Sequence, residues 1–95
     1  MRNYEFTFIV RPDLEEEDMT SAVEQVQSWI TEADGVVEHV DVWGKRRLAY
    51  PIQKHESGHY VHLKIKFQSD AVRELERRMQ ISENILRYLT VAIEE

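Results

Sequence analysis

The sequence contains no cysteine, only three glycines and two prolines. No apolar run approaches the roughly 20 residues that span a bilayer. Without cysteine, neither a disulfide framework nor thiolate metal ligation can brace the fold, which suits a reducing, intracellular compartment. Six acids among the first twenty residues, with no uninterrupted apolar segment, argue against a signal peptide. The expectation is a soluble, cytoplasmic protein. No internal repeat, low-complexity segment or flexible linker divides it, and residues 1–95 are expected to make one domain with a modest core.

Positive charge is scarce in the first part of the chain and concentrated in the second. Residues 1–41 carry a net −9 and residues 42–95 a net +3, within an overall −6. Local potential, not net charge, governs docking on phosphate, so an acidic average is compatible with a basic surface. The focus of that surface is Trp43-Gly44-Lys45-Arg46-Arg47-Leu48-Ala49-Tyr50-Pro51-Ile52-Gln53-Lys54. Three adjacent cations beside an aromatic, ahead of a Tyr-Pro pair that favours extended backbone, suit phosphate binding with stacking on a base or sugar.

Periodicity supplies the frame. Tyr4, Phe6, Phe8 and Val10 alternate with Glu5, Thr7 and Ile9, which reads as a strand. Asp13 and Glu16 resemble a capping pair for a helix whose apolar face carries Met19, Ala22, Val23, Val26, Trp29, Ile30 and Ala33. Glu15, Glu16, Glu17 and Asp18 suit its N-terminal dipole, and Gly35 is placed to end it. A strand follows over about Val36 to Ala49, with a phase shift between Val37 and Val40 that predicts a bulge. Pro51 to Gly58 reads as a loop, and His59 to Phe67 as a strand with Val61, Leu63, Ile65 and Phe67 on one face. Ser69 is expected to cap a second helix burying Val72, Leu75 and Met79, with Glu74 pairing to Arg78. Ile85 to Ile93 is the last strand. The order β-α-β-β-α-β predicts an α+β, ferredoxin-like split βαβ fold, with a four-stranded antiparallel sheet and both helices on one face.

With that order in place, three portions of the chain become telling: Arg2 with Tyr4-Glu5, the segment Trp43 to Lys54, and Gly58-His59-Tyr60. Together they resemble the bacterial ribosomal protein S-six family, over essentially the whole chain. The most specific part is Gly44-Lys45-Arg46-Arg47-Leu48-Ala49-Tyr50-Pro51-Ile52, which says more than the fold does, since ferredoxin-like topology hosts many functions. The resemblance implies a non-catalytic component of the small ribosomal subunit. Such a component binds the central domain of small-subunit rRNA and pairs with ribosomal protein S-eighteen, with no cofactor and no small-molecule substrate. Some relatives carry a long acidic C-terminal tail, whereas this sequence runs to Glu94-Glu95 just past the last expected strand.

The RNA-binding residues expected on this basis are Arg2, Lys45, Arg46, Arg47, Tyr50, Lys54 and Arg87. On an extended strand Lys45 and Arg47 share a side and Arg46 points the other way. Arg2 and Arg87 join the surface if the strand ends converge. Tyr4 falls on the apolar face of its strand and is expected in the core, while Trp43 can cover a core edge or serve a partner.

Other functions fare worse. An acylphosphatase-like hydrolase needs a glycine-rich phosphate cradle after the first strand, but Arg11-Pro12-Asp13-Leu14 has no glycine, and Pro12 removes a donor. A small-molecule regulatory module leaves the basic string without a role. His55, His59 and His62 lack a spacing and companion ligands that would make a tight metal site. Binding of single strands by paired aromatics on the two central strands is poorly supported, because the first strand presents Glu5, Thr7 and Ile9 to the open face.

Overall fold

In the computed structural model, residues 1–93 are described; Glu94 and Glu95, and with them the end of the chain, lie outside the described residues. The elements are β1 (Arg2–Val10), α1 (Glu16–Glu32), β2 (Val36–Ile52), β3 (His55–Phe67), a 3₁₀ turn (Ser69–Ala71), α2 (Val72–Ile81) and β4 (Ile85–Ile93). The strands form one sheet in the order β2-β3-β1-β4, every neighbouring pair antiparallel. This is the expected ferredoxin-like arrangement.

Alternation along the strands decides what is buried. Tyr4, Phe6, Phe8 and Val10 from β1 meet Val61, Leu63, Ile65 and Phe67 from β3 on the helix side of the sheet. Val23, Val26 and Ile30 of α1 and Leu75 and Met79 of α2 close the core from above. Both helices bury a stripe at the 3.6-residue period and leave their charged faces to water. The expected core residues Phe6, Phe8, Val26, Ile30, Val61, Leu63, Ile65, Leu75 and Met79 are all buried together. A smaller cluster of Ile9, Leu48 and Leu86, flanked by Ile52 and Tyr60, sits apart from this core.

Several local expectations are corrected. Asp13 does not cap α1: Glu15 is the capping residue and makes no side-chain cap bond. Asp13 instead accepts two hydrogen bonds from Arg11, at 2.7 and 2.8 Å, because the adjacent guanidinium offers a planar fork matched to its carboxylate. Ser69 opens a 3₁₀ turn without a side-chain cap bond, and α2 begins only at Val72. The expected pairing of Glu74 with Arg78 is present at 3.7 Å, and Arg77 adds a closer one at 2.6 and 2.8 Å.

Gly35 does not supply the left-handed residue at the end of α1; Asp34 does, with φ 63°. Gly35 serves close approach, since a Cβ there would lie 2.4 Å from Phe67 Cδ1 and 2.7 Å from Ile30 Cγ2. The predicted bulge between Val37 and Val40 is present as a register shift between Val37 and His39.

The largest correction concerns residues 51–58, which are not a loop. β2 continues to Ile52 and β3 starts at His55, leaving a two-residue turn at Gln53-Lys54 with φ 49° and 70°. Positive φ at both central positions marks the type I′ turn, whose twist matches that of the flanking strands. Pro51 is tolerated because β2 is an edge strand.

Candidate nucleic-acid interface

The β2–β3 hairpin overhangs the sheet. Pairing of β1 with β3 ends at Val10 opposite His59, so residues 55–58 and the β2 residues beside them extend beyond the central strands. Lys45, Arg46 and Arg47 pair with His59, Gly58 and Ser57, at the neck where the hairpin leaves the sheet. Lys54 is at its tip.

Paired residues share a face, so the register settles directions. Lys45 and Arg47 stand on the helix side with His59 and Ser57, whereas Arg46 stands on the open side with Gly58. A second irregularity sets this phase: the register shifts between Val42 and Gly44, and Gly44 has φ +86°. Glycine adopts that conformation without steric penalty. Without the extra residue, Lys45 and Arg47 would face the open side.

All four cations are exposed. Among the described residues, none of Lys45, Arg46, Arg47 and Lys54 makes a salt bridge or side-chain hydrogen bond. Arg11, Lys66, Arg77 and Arg78 all pair with carboxylates. The hairpin therefore carries positive charge that the protein does not neutralise.

Tyr50 and Arg87 come together although they belong to the two outermost strands. The hairpin curls across the open face, with Leu48 buried against Ile9 and Leu86. Arg87 pairs in register with Ile9, which brings its side chain under the hairpin. Its guanidinium donates a hydrogen bond to the Tyr50 hydroxyl and lies 5.8 Å from the ring centroid. Beneath them is a groove of about 290 Å³ lined by Thr7, Ile9, Leu48, Tyr60 and Leu89 among others.

Arg2 does not converge with this cluster. It pairs with Phe67, while the hairpin leaves beyond Val10 at the other end of β1, about 26 Å away at ~3.3 Å per residue. Tyr4 is buried in the core, as its strand face predicts.

An aromatic ledge on the open face escaped the sequence reading. The Trp43 ring stacks on Tyr60 at 6.2 Å and 9° and on His62 at 5.6 Å and 14°. The indole N–H donates to Asp41 Oδ2 at 2.8 Å, and Thr7 Oγ1 lies 2.8 Å from His62 Nδ1. The outward position of Tyr60 was legible from alternation; its meeting with Trp43 required the β2–β3 register. Leu89 and Val91 of β4 are exposed beside these groups. No group of histidine and acidic side chains suited to a metal ion occurs among the described residues, and none of their helices is long and apolar enough to cross a membrane.

Comparison with known proteins agrees with this architecture. The family profile described as ribosomal protein S6 matches residues 3–92. The small ribosomal subunit protein bS6 of Moorella thermoacetica is 45% identical over 95 residues, covering 100% of this chain and 97% of the relative. The protein of the same name from Clostridium acetobutylicum is 46% identical over 97 residues, with complete coverage of both. Among solved structures, the 30S ribosomal protein S6 of Thermotoga maritima superimposes with a TM-score of 0.92 at 31% identity, over 97% of this chain and 87% of that one. Fold, motif and full-length similarity thus converge: the chain belongs to the ribosomal protein S6 family, a family of structural ribosomal components and not of enzymes.

Proposed function

We propose that this protein is a structural component of the small ribosomal subunit that binds the central domain of small-subunit rRNA together with ribosomal protein S-eighteen. As an S6-family protein it works in the cytoplasm, on the ribosome. The observation that carries the RNA reading is the run Lys45-Arg46-Arg47 at the neck of the overhanging hairpin, exposed and without intramolecular partners among the described residues. Phosphate contacts fix orientation and register on RNA, and cations not already committed to carboxylates are the ones that can make them. Because Arg46 faces away from Lys45 and Arg47, the hairpin is suited to lie between two phosphate tracks instead of on one flat surface. Lys54 extends that reach at the tip, Tyr50 offers an exposed ring at the same end, and Arg2 adds at most a separate contact at the far end of β1.

The partner reading rests on charge and exposed apolar surface. Glu15, Glu16, Glu17 and Asp18 make the start of α1 acidic, a complement for a basic companion. The open face adds Leu89, Val91 and the Trp43 ledge, apolar surface of the kind a partner covers. With twelve cations in a chain of net charge −6, the protein is expected to bind RNA tightly only when the companion adds its own contacts. Binding of a central-domain rRNA fragment, measured at physiological salt with and without S-eighteen, tests this. Tighter binding by the pair is the expected result, and equal affinity of the protein alone would refute the joint mode.

A further inference from the structure

Resting on the RNA reading above, we infer that Arg87 is a positioning residue for the basic hairpin, acting through Tyr50, and not itself a phosphate contact. The hairpin neck and tip are weakly determined by backbone pairing: the β2–β3 register is interrupted between Arg47 and Ile52, the stretch that contains Tyr50. Beyond Val10 there is no β1 residue to pair with β3. Side chains must therefore orient this segment. Leu48 anchors its base in the small cluster with Ile9 and Leu86. Tyr50, further out, is held from the opposite edge of the sheet by Arg87, through a hydrogen bond to its hydroxyl and a cation–π contact at 5.8 Å.

The contrast with the other cations is direct. Lys45, Arg46, Arg47 and Lys54 make no ion pair or side-chain hydrogen bond among the described residues, whereas the Arg87 guanidinium is already engaged by both the hydroxyl and the ring of Tyr50. An arginine is suited to this because its fork of N–H donors reaches the hydroxyl while its delocalised charge stays near the ring, which a lysine ammonium cannot do in the same geometry. Holding the hairpin in one orientation before RNA arrives lowers the ordering cost of binding. Arg87 thereby raises affinity without releasing counterions of its own.

The test uses the full chain, the rRNA fragment and four variants: Arg87→Gln, Arg87→Lys, Tyr50→Phe, and Lys45→Ala with Arg47→Ala. Affinity is measured across a salt series, and backbone hydrogen exchange over residues 48–54 is measured without RNA. Positioning predicts that Arg87→Gln weakens binding roughly two- to fivefold, the worth of an exposed cation–π contact. It also predicts an unchanged slope of log affinity against log salt and faster hairpin exchange. Arg87→Lys should behave like Arg87→Gln despite keeping its charge, and Tyr50→Phe should show part of the effect. A slope reduced by about 0.7–0.9 in Arg87→Gln, full rescue by Arg87→Lys, or unchanged hairpin exchange would each overturn the inference. If the Lys45 and Arg47 double variant leaves affinity and slope unchanged, the RNA reading itself fails; the exchange data then still decide whether Arg87 holds the hairpin.

Discussion

Ile9 fills the space that a side chain at Gly58 would need: a Cβ at Gly58 would come within 2.3 Å of Ile9 Cγ2 and 3.3 Å of the Val10 carbonyl oxygen. The hairpin strand thus lies against β1 where the small cluster of Ile9, Leu48 and Leu86 anchors it. The positions expected to contact RNA begin directly across the hairpin, since Gly58 pairs with Arg46.

Gly58→Ala should therefore lower stability by about 1–3 kcal/mol, the usual cost of overpacking a close contact. Urea denaturation would read it. Combined with Ile9→Ala, the total loss should be smaller than the sum of the two single losses, because the clash and its partner are removed together. Simple additivity of the two changes would mean that the backbone relaxes elsewhere.

Leu75 is 3% exposed beneath α2, whereas Leu89 is 62% exposed on β4. Leu75→Ala should cost about 2–5 kcal/mol through reduced burial and the cavity it leaves. Leu89→Ala should stay within about 0.5 kcal/mol in the isolated protein. Thermal unfolding of both variants checks the pair, and comparable losses would contradict the assignment of the open face.

Replacing Lys45 and Arg47 with alanine should weaken rRNA binding and flatten the salt dependence by roughly 0.7–0.9 for each phosphate no longer neutralised. The fold should survive, because exposed charges contribute little to stability. Arg73→Ala with Arg77→Ala is the control: both lie on α2, and Arg77 is already bound to Glu74. A flattened slope in the control, with none in the hairpin variant, would move the RNA surface from the hairpin to α2.

The turn at Gln53-Lys54 holds two ordinary residues at positive φ. That conformation costs roughly 1–2 kcal/mol per residue for side chains beyond glycine, and asparagine tolerates it better. Gln53→Asn should raise the unfolding midpoint by an amount corresponding to no more than about 1 kcal/mol. A lowered midpoint would show that Gln53 contributes more by contact than it costs by conformation.

Asp13 should titrate below the ordinary aspartate range, because the hydrogen-bonded Arg11 guanidinium favours its charged form. A carboxylate depressed in the folded state adds stability above its unfolded pKa and loses that contribution as pH falls through the folded value. The group is solvent-exposed, so the measurable quantity is the titration itself. Carboxyl NMR should show the Asp13 midpoint rising in Arg11→Ala; an unmoved midpoint would mean the ion pair does not persist in solution.

Where the sequence reading succeeded, the information was local. Val61, Leu63, Ile65 and Phe67 declare their face by alternation, and Val23, Val26 and Ile30 declare theirs by helical spacing. The bulge after Val37 is legible because the valines change phase. Where the reading failed, local signals were outcompeted by contacts elsewhere. Pro51 to Gly58 is rich in turn formers, yet its flanks pair because edge position tolerates the proline and Ile9 packs where Gly58 leaves room. Asp13 has the right spacing for a cap, but Arg11 reaches it first.

Element order, inward-facing residues, the basic segment and the family were all legible along the chain, since these reside in composition, period and motif within one stretch. Which side of the sheet each cation faces follows from strand pairing alone, because an extra residue at Trp43-Gly44 resets the phase of β2 against β3. Folding likewise brings Arg87 from one edge strand to Tyr50 of the other and leaves Arg2 at the far end. Such relations depend on register and hairpin curvature between strands distant in sequence, which no local pattern encodes.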